Sequence, residues 1–463
     1  MVFSSANFLF VFLPLILIVY FMVPKSITYK NIVLLLFSLF FYWYGEPKYY
    51  TVMLISILAN YIFGLLLHLA NGNITRKRLV VTLSVIANIG LLFYFKYTMF
   101  AVRNLNYFLG FNFRVGNILL PIGISFFTFQ GLSYILDIYF GKVKCQKNIL
   151  NVALYIALFP QLVAGPIVRY DTVSAAIEER SHSVEDVAEG LRRFMVGLGK
   201  KMLLANSMGV VADRLFGTPV GELTVFASWL APIAYAFQIY FDFSGYSDMA
   251  IGLGRVFGFR FLENFNYPYI SKSITEFWRR WHISLGTWFR DYVYIPLGGN
   301  RVSFWLHLRN IFVVWMLTGI WHGAEWKFLA WGIYFAVILL AEKIFLHKIL
   351  DRLWRPLTHL YAIILIILGW GIFRSYNLTY AIGLFKTQFF LGGKPMIDMQ
   401  SLHLLFDYKF EFLAAAVACL PLKNFFESKK FDGMKYVLAS LVFLASVVSI
   451  LTSTFNPFIY FRF

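Results

Sequence analysis

The sequence predicts an all-α, polytopic integral membrane protein, and three observations carry that prediction. Of 463 residues, 60% are hydrophobic and 14% charged, against about 45–50% and about 25% in a soluble domain. Apolar stretches follow one another along most of the chain, many near the roughly 20 residues a helix needs to cross a hydrocarbon core. Spanning strands would alternate polar and apolar positions in segments of about 10 residues, and the chain does not read that way.

The first apolar run covers 8–23. No basic residue precedes it and no A-x-A site is visible, so it is expected to remain as a first helix rather than a removable signal. Runs at 31–44, 51–69, 79–100, 118–140 and 149–164 follow. The polar stretch RYDTVSAAIEERSHSVEDVAEGLRR, 169–193, then separates two halves. After it come 194–212, 226–243, 304–320, 326–346, 358–373, 378–392, 408–422 and 435–452. Several are short, so about eleven true crossings are expected, with re-entrant and interfacial helices making up the rest. No internal repeat or low-complexity linker marks a second domain, and 1–463 reads as one membrane-embedded domain.

The net charge of +18 would suggest nucleic acid in a soluble protein. In a membrane protein, basic clusters such as 76–78, 192–193 and 200–201 set topology from cytoplasmic loops, so the expected surroundings are membrane lipids and no nucleic acid. Cys145 and Cys419 form no C-x-x-C pair and indicate neither a disulfide framework nor a thiolate metal site.

The section 241–301 breaks the apolar rhythm with aromatics, Asn, Gly and charge. Polar, irregular backbone at membrane depth survives only when buried in protein or lining a wet cavity, so a functional cavity is expected here. Within it Trp278, Trp281, Leu285, Trp288 and Tyr292 recur at helical spacing, with Arg279, Arg280, Arg290 and Asp291 off that stripe. The pattern predicts one amphipathic, interfacial helix, with His282 bordering its aromatic face.

His322 is embedded in the apolar sequence FVVWMLTGIWHGAEWKFLAWGIYFAVILL, and such polar groups mark functional sites. Glu325 follows at i+3 and is expected to accept a ring N–H and fix the tautomer. Gly319 and Gly323 are expected to thin the helix surface for close approach of a ligand. A histidine hydrogen-bonded between helices would read the same way, and so would a transporter's proton relay. The chain has no H-E-x-x-H, no Cys/His cluster, no G-x-S-x-G elbow and no phosphate-binding loop. No metal site is expected, and the two histidines point to general acid–base work.

FDFSGYSDMAIGLG, NFNYPYISKSITEFWRRWHISLGTWFRDYVYIPLGGNR and LTGIWHGAEWKFLAWG together resemble the membrane-bound O-acyltransferase family, in particular its branch of bacterial alginate and peptidoglycan O-acetyltransferases. The opening MVFSSANFLFVFLPLILIVYF, with LPIGISFFTFQGLSYILDIYFG and FPQLVAGPIVRY, extends the resemblance nearly end to end. It implies a helical ring around a central catalytic cavity, with His322 catalytic and His282 the second functional position. It implies acetyl-CoA as donor, a multi-pass location in the bacterial cytoplasmic membrane, and a periplasmic partner protein that handles a cell-envelope polysaccharide acceptor. Coenzyme A phosphates give Arg279, Arg280 and Arg290 a second possible role, since guanidinium pairs bidentately with phosphate. Asp242, Asp248, Asn264, Trp278, Trp281, Asp291 and Trp321 are the cavity-lining candidates. The 52 phenylalanines suit an AT-rich genome and lean the acceptor toward peptidoglycan rather than alginate. D-alanine on teichoic acid, or a protein acceptor, remains the alternative within the family.

The last seven residues, PFIYFRF (457–463), look like the aromatic motif that ends a small partner protein in teichoic-acid D-alanylation. The resemblance implies that Tyr460 carries the acyl group as a covalent ester. An aromatic belt at the membrane interface would use the same residues.

Overall fold

The computed structural model describes residues 2–24, 26–163, 165–421, 432–453, 455–456 and 459. Every long regular element among them is a helix, as the composition predicts. Among the described residues, six helices are long and apolar enough to cross a membrane: Ile27–Gly45, Tyr50–Leu69, Ile74–Leu109, Trp326–Leu350, Arg355–Arg374 and Gly433–Thr452. Their buried share runs from 11% for Gly433–Thr452 to 39% for Ile27–Gly45, and Arg355–Arg374 is half buried. Large exposed apolar side chains such as Ile55, Ile86, Leu441 and Val448 cover the outside, which only a lipid environment tolerates on this scale. The protein is a multi-pass membrane protein.

The chain forms two compact units, Met1–Phe194 with Ser247–Leu262, and Met195–Tyr246 with Glu263–Phe463. The polar section 241–301 is therefore divided between them. In the first unit Gln130 and Asp137 are fully buried on helix Ile124–Tyr139. Tyr20 joins distant parts of the same unit, donating to the Phe257 carbonyl at 3.1 Å while Arg180 donates to its hydroxyl at 3.1 Å.

The second unit is organised around a core of Tyr240, Phe277, Trp281, Trp331, Phe335, Trp370 and Phe373. Trp278 packs its ring 4.7 Å from Trp315 and 4.9 Å from Phe335, and Trp281 lies 4.9 Å from Trp370. Each such pair contributes about 0.5–1.5 kcal/mol beyond area burial. The aromatic stripe therefore packs into protein. The expected interfacial anchor is corrected on this point, because Trp281, Leu285, Trp288 and Tyr292 are all buried.

Helices Phe304–His322 and Trp326–Ala341 touch backbone to backbone. A Cβ on Gly319 would lie 2.5 Å from the Phe328 carbonyl oxygen, and one on Gly332 would lie 2.6 Å from that of Trp315. Small residues permit this approach in membrane helix pairs. Gly319 thus serves helix packing and not ligand approach, which corrects the sequence expectation. Gly319→Val is expected to cost at least the about 1–3 kcal/mol of an overpacked core, because the obstructing atom is backbone. A lowered thermal midpoint of the purified protein in detergent measures it.

Candidate active site

The site is built on a break in the aromatic helix. Instead of one helix, the structure has Ile274–Arg280 and Ile283–Phe289, followed by a π turn at Arg290–Tyr294. His282 sits at the break with φ 45° and ψ 54°, a left-handed conformation that costs a non-glycine residue about 1–3 kcal/mol. Main-chain bonds from a distant segment enforce it. The Ile283 N–H donates to the Asn264 carbonyl at 2.9 Å, and the Asn266 N–H donates to the Arg280 carbonyl at 2.9 Å.

The first of the two short helices is capped by side chains. Ser273 Oγ accepts from the Glu276 N–H at 3.0 Å, and the Glu276 carboxylate accepts from the Lys272 N–H at 2.9 Å. This is close to the capping-box arrangement encoded by Ser-x-x-Glu. Glu342, 3% exposed, reaches across to accept from the N–H groups of Ile274 and Thr275 at 2.7 and 2.8 Å. A buried carboxylate at a helix N-terminus satisfies donors that would otherwise be orphaned. Neither Glu342 nor Ser284 stood out in the sequence, although Ser-Ile-Thr-Glu at 273–276 is a legible cap.

The tautomer of His282 follows from its neighbours. Asn264 Oδ1 accepts from the Ser284 N–H at 3.1 Å and from Ser284 Oγ at 2.8 Å, which fixes the amide orientation. His282 Nδ1, 3.1 Å from the same oxygen, must therefore donate. The proton is on Nδ1, and Nε2 presents a lone pair. Nε2 is buried and has no hydrogen-bond partner among the described residues. Burial, followed by the charge of nearby His322, holds the imidazole well below its ordinary pKa, so the ring is neutral at physiological pH.

His282 and His322 line one cavity of about 420 Å³, together with Trp278, Arg279, Trp281 and Arg290. His322 ends its helix, half-buried, with its ring 5.0 Å from Trp331 and 5.1 Å from Phe373. The Trp321 ring stands 5.0 Å from His322 and 6.2 Å from His282. A second, more polar cavity of about 590 Å³ shares Thr275, Arg279, Trp315 and Leu339 with the first, and adds His307, Lys343 and His347.

Other sequence candidates stand elsewhere. The helix carrying His322 stops there and Gly323 is extended, so the i+3 relation to Glu325 has no helical basis. Glu325 is about half exposed at the start of the next helix and pairs with Lys327 at 3.3 Å. Arg280 pairs with Glu276 at 2.8 Å and donates to the Asn266 carbonyl, away from the lining of the two cavities. Asp291 pairs with Arg290 at 2.7 Å. Asp248 belongs to the first unit, where it pairs with Arg193 at 2.7 Å. Asp242 pairs with Lys201 at 2.7 Å. Tyr460 lies outside the described residues.

The sequence profile of the membrane-bound O-acyltransferase family matches residues 39–379. A probable alginate O-acetylase AlgI of Azotobacter vinelandii is 38% identical, with all of both chains covered. A peptidoglycan O-acetyltransferase of Helicobacter pylori is 32% identical over all of this chain and 98% of its own. A teichoic acid D-alanyltransferase of Bacillus subtilis is 31% identical over 50% of this chain and 60% of its own.

Proposed function

The chain belongs to the membrane-bound O-acyltransferase family, and we propose that within it the protein moves acetyl from cytoplasmic acetyl-CoA to a cell-envelope polysaccharide across the bacterial cytoplasmic membrane. One observation carries the chemistry: two histidines line one cavity, and His282 keeps an unshared Nε2 lone pair. The adjoining polar cavity, with Arg279 common to both, supports coenzyme A binding, its phosphates against Arg279 and Lys343 and its thioester toward His322.

The transfer runs in two balanced steps. His322 removes the Tyr460 phenol proton as the oxygen attacks the thioester carbonyl. The new C–O bond forms, the C–S bond breaks, and the thiolate takes up that proton to leave as free coenzyme A. An acceptor hydroxyl then attacks the acetyl-tyrosine ester, its proton passing through a histidine to the departing phenolate. Phenol and thiol have reference pKa values of about 10 and about 8.5, so the two esters have comparable leaving groups and the phenyl ester keeps most of the transfer potential. His282 Nε2 positions a hydroxyl by accepting its hydrogen bond. A periplasmic partner protein completes delivery to the polymer.

The full-length relatives favour a polysaccharide over the D-alanyl reading, whose relative matches only half of this chain. The higher identity to the alginate acetylase shifts the favoured acceptor from peptidoglycan toward an alginate-like polymer. Reconstitution with labelled acetyl-CoA, offering deacetylated alginate or peptidoglycan with and without partner proteins, tests this. Label on neither polymer would overturn the assignment.

Asn264→Ala tests the positioning of His282. It leaves the Nδ1–H and the Ser284 N–H without their shared acceptor, at about 1–3 kcal/mol each. Transfer is expected to fall about 10- to 100-fold, with little change in the KM for acetyl-CoA. Steady-state kinetics on the folded variant checks both parts.

A further inference from the structure

The main chain just ahead of Tyr460 is held by a buried ion pair for which the two transfer steps have no use. Lys201 Nζ lies 2.7 Å from Asp242 Oδ1, and both side chains are 3% exposed. The same ammonium donates to Asn206 Oδ1 at 2.9 Å. The other Asp242 oxygen accepts the backbone N–H of Ile459 at 2.9 Å. Asn206 Nδ2 donates to the Phe455 carbonyl at 3.3 Å. Two points of the main chain are thus gripped by one connected polar group. The Ile459 side chain is buried in the same core as Trp281 and Trp331, whose neighbours are the two histidines.

Lys201 sits in a π turn, Lys200–Ala205, set into a longer helical run, an irregularity frequent at functional sites. Stability alone is a weak reason for such a pair, since apolar replacements of buried ion pairs are often neutral or stabilising. What the pair supplies is a fixed, charged acceptor, and charge-assisted bonds of this kind are roughly twice as strong as neutral ones. The α-carbon of Tyr460 is one peptide unit, about 3.8 Å, beyond that of Ile459. A grip on the Ile459 amide therefore limits where the phenol can go.

We propose that Asp242 and Lys201 are a positioning clamp that sets the reach of Tyr460 into the histidine cavity, an inference that rests on Tyr460 being the acetyl carrier. Replacing one partner would leave a buried charge, so the test uses neutral pairs. K201M/D242L removes both charges and the acceptor, whereas K201M/D242N keeps an oxygen for the Ile459 N–H. Both are compared with the parent as full-length protein in nanodiscs, by hydrogen exchange at Ile459 and by intact mass after mixing with acetyl-CoA.

In K201M/D242L, exchange at Ile459 is expected to quicken about tenfold or more. Acetylation of Tyr460 should slow about tenfold or more at unchanged KM for acetyl-CoA, and K201M/D242N should recover most of both. Unchanged exchange in K201M/D242L overturns the clamp, and so does loosened exchange with undiminished acetylation. Loosened exchange in a protein whose parent never carries acetyl on Tyr460 leaves the clamp as a main-chain anchor and removes the carrier.

Discussion

His322→Ala is expected to lower coenzyme A release from acetyl-CoA by about 10²–10⁴-fold, the range for loss of a positioned general base. The ring stands at the end of helix Phe304–His322, walled by Trp321, Trp331 and Phe373. Alanine removes the base and leaves those aromatic walls, so the fold and the affinity for acetyl-CoA should be nearly kept. His282→Ala should behave differently. It keeps the left-handed backbone position, which alanine tolerates no better, leaves the Asn264 acceptor without its histidine, and spares the base for the first step. The expected pattern is near-complete loss of thioester cleavage for His322→Ala. For His282→Ala a smaller loss is expected, weighted toward delivery of acetyl to the polymer. Stopped-flow detection of free thiol beside label counting on the polymer separates the two. Equal losses in thioester cleavage would mean that both histidines serve the first step.

The membrane class and the two histidines were legible because hydropathy and isolated polarity are local signals. The break at His282 was not. Trp278, Trp281, Leu285 and Trp288 keep helical spacing straight through it, because each short helix is amphipathic in its own right. The kink is imposed by Asn264 and Asn266, which approach from outside the helix. Glu325 was misplaced for a related reason: spacing presumed a helix that Gly323 ends. Hydropathy also reads best where a helix faces lipid. The stretch 225–246 buries Gln238, Asp242 and Ser244 inside protein, so its role rests on nonlocal partners, of which Lys201 is the clearest. Glu342 looks in the sequence like a lone acid ending an apolar run. Only the approach of Ile274 and Thr275 makes it a helix cap.

Tyr460→Phe should abolish acetyl transfer to polysaccharide and any acetyl adduct on the protein, while leaving acetyl-CoA binding intact. The substitution deletes one oxygen and keeps the ring, so aromatic anchoring would survive it. That selectivity is what separates a covalent carrier from a membrane-interface anchor. A carrier predicts that the parent protein gains one acetyl mass on mixing with acetyl-CoA, located to Tyr460 by fragmentation. It also predicts that the adduct decays when acceptor is added, at a rate matching product formation. His322→Ala should prevent the adduct from forming, whereas loss of the acceptor or of its partner protein should let it accumulate. Phenylalanine cannot form the ester, so residual transfer in Tyr460→Phe measures any direct path from thioester to sugar. Full retention of polymer acetylation would make the reaction single-step, with both histidines acting on acetyl-CoA and acceptor together and the Asp242 grip reduced to holding the segment in place.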